Sequence, residues 1–194
     1  DYYCDANKVC GVPCTEIDLM EANTHAWFTT LHLADGTGHG VGYGGSYAEP
    51  MRRDWTHKEY GPNASCIDTL KPFEVAISFP GDEHGLVGAL EVTLRQEGKP
   101  CPLSARVDKY PKDPHAMKQF TRALQDGMTP VLSFWSSKDM TWMDGPGADG
   151  EGPCTPPDKP DECPDTVKFS DFRINDFEGF PAPPSKDDMV KVVA

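Results

Sequence analysis

Between Phe73 and Phe79 every second residue is large and apolar (Phe73, Val75, Ile77, Phe79), with Glu74, Ala76 and Ser78 in between. A period of two marks an extended strand with one buried face. Leu90, Val92 and Leu94 alternate in the same way with Glu91, Thr93 and Arg95, and the Gly-containing link between the two runs predicts a hairpin. In 194 residues that include 19 Pro and 18 Gly, such strands predict one loop-rich all-β domain rather than a helical one.

The remaining elements are read around these strands. His25 to Leu33 is β-rich and fits the return strand of a hairpin. Residues 35–62 and 98–114 read as loops, and His115 to Asp126 as a short helix stopped by Gly127. Val131, Ser133 and Trp135 share one face of an expected strand, with Leu132 and Phe134 on the other. After a Gly-, Pro- and Asp-rich stretch, Thr166 to Phe177 reads as a last strand with a change of phase after Phe169, the signature of a bulge. Residues 179–194, with Pro181, Pro183 and Pro184, read as a tail or the start of a linker.

The stretch that carries chemistry is Cys14-Thr15-Glu16-Ile17-Asp18-Leu19-Met20-Glu21-Ala22-Asn23. On a strand, Glu16 and Asp18 share a face while Ile17 and Leu19 point into the core. Glu21, five residues beyond Glu16, joins the other two acids only if a bulge inserts one residue near Leu19 or Met20. With that bulge, two carboxyls can flank one point at the roughly 5–5.5 Å of a retaining glycosidase, with the third tuning them. Crowded carboxyls push their pKa values apart, so that one stays protonated while another is ionised. Spacing alone is equally compatible with an amphipathic helix that presents the three acids as a solvated face.

Charge and cysteine usage narrow the setting. Lys and Arg number 18 against 31 Asp and Glu, a net charge of −13, which repels nucleic acid and anionic membranes and suits a neutral polymer or small molecule. The run Asp35-Gly36-Thr37-Gly38-His39-Gly40 superficially resembles a phosphate cradle, but no strand-to-helix context follows it and the charge is wrong for an anion. Seven cysteines without paired Cys-x-x-Cys spacing point to disulfides in an oxidising, extracellular compartment, and an odd number leaves one unpaired. Asn63-Ala64-Ser65 is a glycosylation sequon consistent with secretion. No apolar run reaches membrane-spanning length, no leader pattern opens the chain, and a start at Asp1 rather than Met reads as processing or truncation.

Glu-x-Asp-x-x-Glu-Ala-Asn, residues 16–23, resembles the catalytic signature of glycoside hydrolase family 7, the cellobiohydrolases and endoglucanases built on a concanavalin-like jelly-roll β-sandwich. The resemblance implies Glu16 as nucleophile, Glu21 as general acid/base and Asp18 as the residue that positions and tunes Glu16. It implies a Cys4–Cys14 disulfide that ties Tyr3-Cys4-Asp5 beside the catalytic strand, with Tyr3 donating a hydrogen bond to the nucleophile and Asp5 supporting it. His32, 16 residues beyond Glu16, matches an active-site histidine; without the family it reads as a packing residue. Ser133-Phe134-Trp135 and Met140-Thr141-Trp142-Met143-Asp144 resemble segments whose tryptophans stack on glucosyl rings, because the C–H faces of a pyranose are apolar while its hydroxyls stay free. Tyr43-Gly44-Gly45 and Asp54-Trp55 match a product-side loop, but Gly42 and Glu151 stand where arginines are expected, which implies a more open product side and endo action.

The resemblance runs from Tyr3 to about Phe177 and covers the second half of such a domain, so residues 1–178 read as catalytic region and 179–194 as tail. The expected partners are a β-glucan and, since a halved sandwich leaves edges and core unfinished, a separate chain supplying the missing N-terminal half. No metal or organic cofactor, nucleic acid or membrane is expected. The expected activity is retaining β-1,4-glucan hydrolysis. The alternative is a carbohydrate-binding or cell-wall structural protein that keeps the fold without turnover.

Overall fold

The computed structural model of the chain describes residues 3–44, 55–111, 113–134, 167–174 and 190–193. In order, these hold β1 (Glu16–Ala22), β2 (Trp27–His32), β3 (Gly40–Tyr43), β4 (Tyr60–Gly61), β5 (Ile67–Asp68), β6 (Phe73–Ser78), β7 (Leu90–Arg95), β8 (Leu103–Val107), α1 (Ala116–Asp126), β9 (Lys168–Ser170) and β10 (Val190–Val193). The strands form an antiparallel sheet β1-β2-β3, a five-stranded antiparallel sheet β8-β7-β6-β10-β9, and a short parallel pair β4-β5.

The two larger sheets share one apolar core, which makes the fold an all-β sandwich. Trp27, Leu31, Val41 and Tyr43 from the three-stranded sheet meet Phe73, Val75, Leu90, Val92, Leu94, Leu103, Ala105 and Val107 from the five-stranded one. The period-two pattern at 73–78 and 90–95 is therefore a burial pattern, with Glu74, Glu91 and Arg95 on the less buried side. Helix α1 closes one end through the fully buried Ala116 and Phe120, and it ends at Gly127, whose φ of 94° suits glycine.

Trp55, Trp27, Tyr43, Tyr60 and Phe73 form a chain of tilted and edge-on rings with centroids 5.0–6.1 Å apart. Tyr43 belongs to the core, and the partly buried Trp55 packs against it. Gln96 ties the layers below: it accepts from the Asp68 N–H at 2.8 Å and donates to the carbonyls of Asp68, Pro72 and Lys71 at 2.8, 3.1 and 3.2 Å. A disulfide between Cys66 and Cys101 joins the same region.

Several boundaries differ from the sequence reading. The supposed loop at 35–62 contains β3, and the one at 98–114 contains β8, whose Leu103, Ala105 and Val107 alternate into the core between prolines that disguise the pattern. Val131 to Phe134 are not in a strand, and Val131, Leu132 and Phe134 are exposed. Of the last expected strand, the described residues 167–174 hold Lys168–Ser170, which stops at Asp171, whose φ of 56° breaks an extended backbone. Four residues of the expected tail form β10, inserted between β6 and β9. Trp135, Trp142 and Glu151 lie outside the described residues.

Candidate active site

Glu16, Asp18 and Glu21 are on a strand and not on a helix, and β1 carries the required bulge. Glu16 stands opposite His32 and Asp18 opposite Thr30, but Glu21 stands opposite Phe28, so Leu19 and Met20 together face a single residue of β2. The extra residue changes the alternation. Ile17, Met20 and Ala22 pack against the core, which leaves Glu16, Asp18 and Glu21 for the other face. Leu19, expected in the core, is the added residue; it is exposed, and Met20 takes its place.

His32 joins the acids from β2. Its Nε2 lies 2.9 Å from Asp18 Oδ2, a geometry in which Nε2–H donates to the carboxylate. Burial of the imidazole works against its charged form, but the bond to Asp18 and the charges of Asp18, Glu16 and Glu21 outweigh it, so the pKa is raised. Room for the ring comes from β3, where Gly40 pairs with His32. A Cβ at Gly40 would lie 2.5 Å from His32 Cε1 and 2.7 Å from Nδ1, and would also strike Thr30. Nδ1 is buried and makes no hydrogen bond among the described residues. Gly42 is equally constrained: a Cβ there would lie 2.8 Å from Thr30 Cα and run into the Thr29 carbonyl, so the expected arginine has no space at this position.

Glu16 is half-buried, and its Oε2 accepts the Ala6 N–H at 2.9 Å. Its pKa is raised: burial is the main cause and Asp18 and Asp5 add to it, while the Ala6 N–H and His32 pull the other way. Ala6 is held there by a compact N-terminal loop. The expected Cys4–Cys14 disulfide is present, the Cys14 N–H donates to the Asp5 carbonyl at 3.1 Å, and buried Asp5 accepts the Val9 N–H at 3.0 Å. Tyr3, in the same loop, is exposed, and its pKa is raised by partial desolvation and by the charges of Asp5 and Glu16. Cys10, in the same loop, is free and exposed.

The β1–β2 turn is fastened from several sides. Asn23 Oδ1 accepts the N–H groups of His25 and Ala26 at 2.7 and 2.8 Å, Tyr60 donates to the Asn23 carbonyl at 2.9 Å, and Thr69 donates to the Thr24 carbonyl at 2.7 Å. The Asn of the Glu-Ala-Asn signature therefore shapes the turn.

The chain is similar to fungal endoglucanases. "Probable endo-beta-1,4-glucanase celB" of Neosartorya fischeri is 30% identical over 170 residues, which cover 74% of this chain and 40% of that protein. "Endoglucanase EG-1" of Hypocrea jecorina is 31% identical over 163 residues, 75% of this chain and 32% of its own length. "Endoglucanase 1" of Pyricularia oryzae is 28% identical over 180 residues, 74% and 42% respectively. The chain thus spans well under half of the curated relatives it matches. No family model and no solved structure matches it.

Two site residues escape the sequence reading. Gly40 carries no functional group, and its usefulness is visible only once it lies beneath His32. Thr29 is fully buried opposite the bulge and hydrogen-bonds the Leu19 carbonyl. A threonine within a β-rich run is unremarked from sequence, because β propensity already accounts for it.

Proposed function

We propose that this chain carries the catalytic strand of a retaining β-1,4-glucan hydrolase of the glycoside hydrolase family 7 type. The observation that supports this best is the bulge between Asp18 and Glu21, which brings the third acid to the face of the other two. In this reading Glu21 protonates the leaving glycosidic oxygen while Glu16 attacks the anomeric carbon. Water then releases the sugar from the glycosyl-enzyme, with Glu21 now acting as base. Asp18, bonded to His32, orients and tunes Glu16. The raised Glu16 pKa sets a requirement: the nucleophile must be ionised, so turnover falls as pH drops through a value above the ordinary glutamate range. The Ala6 N–H and His32 are the groups that favour the ionised form.

The substrate is a soluble or cell-wall β-1,4-glucan outside the cell, bound with help from Trp135 and Trp142 as stacking platforms and from His32, Tyr3 and Asp5 along the acid strand. A second polypeptide supplying the remaining sandwich strands is part of the proposal. Endo action is supported by Gly42, where no side chain fits. The lack of the expected arginine also favours a second reading, a carbohydrate-binding or cell-wall structural protein without turnover. Reducing-sugar release and viscosity on soluble cellulose or mixed-linkage glucan separate the two. Release of reducing ends with a rapid fall in viscosity supports the endo-hydrolase; near-exclusive cellobiose release at constant viscosity refutes endo action, and binding without release establishes the second reading.

A further inference from the structure

An extra residue in one strand leaves a backbone group without its partner in the ladder, and such a group is costly when it faces the interior. At this bulge the Leu19 carbonyl accepts the Thr29 hydroxyl at 3.1 Å. The Thr29 oxygen in turn accepts the Trp27 indole N–H at 2.8 Å. Both side chains are buried; the Trp27–Thr29 bond is shielded from water, and the Thr29–Leu19 bond is partly so. Because the indole N–H occupies one lone pair of the hydroxyl, the hydroxyl proton is directed toward Leu19.

A strand without the bulge would send Leu19 to the core, Met20 to the acid face and Glu21 inward. Leu19 and Met20 are comparable core side chains, so exchanging them does not decide the register. The cost of burying Glu21 opposes the regular strand. That cost only keeps the carboxyl out of the core; it does not fix where on the outer face the carboxyl sits. The hydroxyl bond does so, because it fixes the peptide plane that follows Leu19.

We propose that Thr29, oriented by Trp27, is a positioning residue that holds the bulge and thereby aims Glu21 at the reaction centre. The inference rests on the reading of Glu21 as acid/base. T29V, nearly isosteric, removes the donor, while T29S keeps it. With soluble β-glucan as substrate, T29V is expected to lose kcat on the order of 10²-fold with KM little changed, as a misaimed catalytic group does, and T29S to stay near wild type. The limb of the kcat/KM pH profile set by the acid should move in T29V, since Glu21 then sits differently among Glu16 and Asp18 of β1 and His32 of β2; β3 presents only Gly40 and Gly42 there. Cross-strand NOEs should no longer place Glu21 opposite Phe28. A T29V protein that is less heat-stable but keeps its kcat and pH profile overturns the proposal. If T29V does not fold, T29A is read in its place; if neither folds while T29S does, the role is structural and the proposal fails. Should the wild-type chain be inactive both alone and together with the polypeptide that supplies the missing strands, the acid/base reading fails on its own, and the NOEs still decide: an intact Glu21–Phe28 pairing in T29V refutes the bulge assignment, and its loss supports it.

Discussion

Replacing Glu16 tests the assignment of the nucleophile and the description of its surroundings together. Glutamine is nearly isosteric and keeps an oxygen that can accept the Ala6 N–H, now at 2.9 Å from Oε2, so E16Q should fold; alanine loses that acceptor, and E16A should be less stable than E16Q by about 0.5–1.5 kcal/mol. Both lose the nucleophile. Turnover should fall by about three to six orders of magnitude, or about 4–8 kcal/mol at 1.36 kcal/mol per decade, while oligosaccharide affinity is retained in E16Q. Stability should respond to pH in a defined sense. The Glu16 pKa is raised above the ordinary 4.5 by burial, Asp18 and Asp5, so the folded chain holds this proton more tightly than the unfolded one. Its stabilising contribution is complete below the unfolded value and is lost as pH rises through the folded value. E16Q has no proton to lose, so its stability relative to wild type should increase as pH rises from the unfolded value through the folded one. Single-turnover and steady-state kinetics, isothermal titration with a cello-oligosaccharide, and thermal unfolding across pH read each part. Turnover by E16Q within about tenfold of wild type would refute the nucleophile, and equal destabilisation of E16Q and E16A would refute the account of the Ala6 bond.

Asp18→Asn should be the milder lesion: it removes a charge that raises the Glu16 pKa and the carboxylate that holds His32, so the acid limb of the pH profile should shift to lower pH and the His32 pKa, followed by NMR, should fall; an unchanged limb and an unchanged His32 titration contradict this. Gln96→Ala strands a buried Asp68 N–H and three carbonyls, with an expected cost of about 2–4 kcal/mol in urea unfolding and no effect on pH dependence; a cost near zero would show that the knot is not a fastener. From the loop lengths, with separations of 35 and 10 residues, removing Cys66–Cys101 should cost about 4 kcal/mol and removing Cys4–Cys14 about 3. Only the second pair holds Ala6 against Glu16, so activity measured well below the melting temperature should drop for the Cys4–Cys14 variant and persist for the other.

How much of this was readable in advance depended on whether one segment's pattern was enough. Alternation at 73–79 and 90–95 fixed two strands and their buried faces, because burial of every second side chain is a property of a single segment. The helix at 116–126 followed from its pattern and Gly127. The alternating Leu103, Ala105 and Val107 of β8 carry the same signal, but the flanking prolines give the segment the pattern of a loop. β3 was hidden by Gly40, Gly42 and Gly44, residues that disfavour strands on propensity yet are there because neighbouring atoms leave no room for a Cβ.

For the site, the sequence alone determined the acids, their spacing and the condition for their use: a bulge near Leu19 or Met20, or else no third carboxyl on the face. It left strand and helix equally open at that stretch, since both periods fit a seven-residue run. Only the tertiary structure decided between them, because the answer lies in residues that are distant in sequence. Thr29 and Trp27 stabilise the Leu19 carbonyl, Ala6 reaches Glu16 through a disulfide-closed loop, and Gly40 of another strand makes room for the His32 ring that Asp18 holds. A local pattern reports which side chains favour burial; it cannot report the cross-strand partner that makes an irregular backbone stable, and that partner aims Glu21.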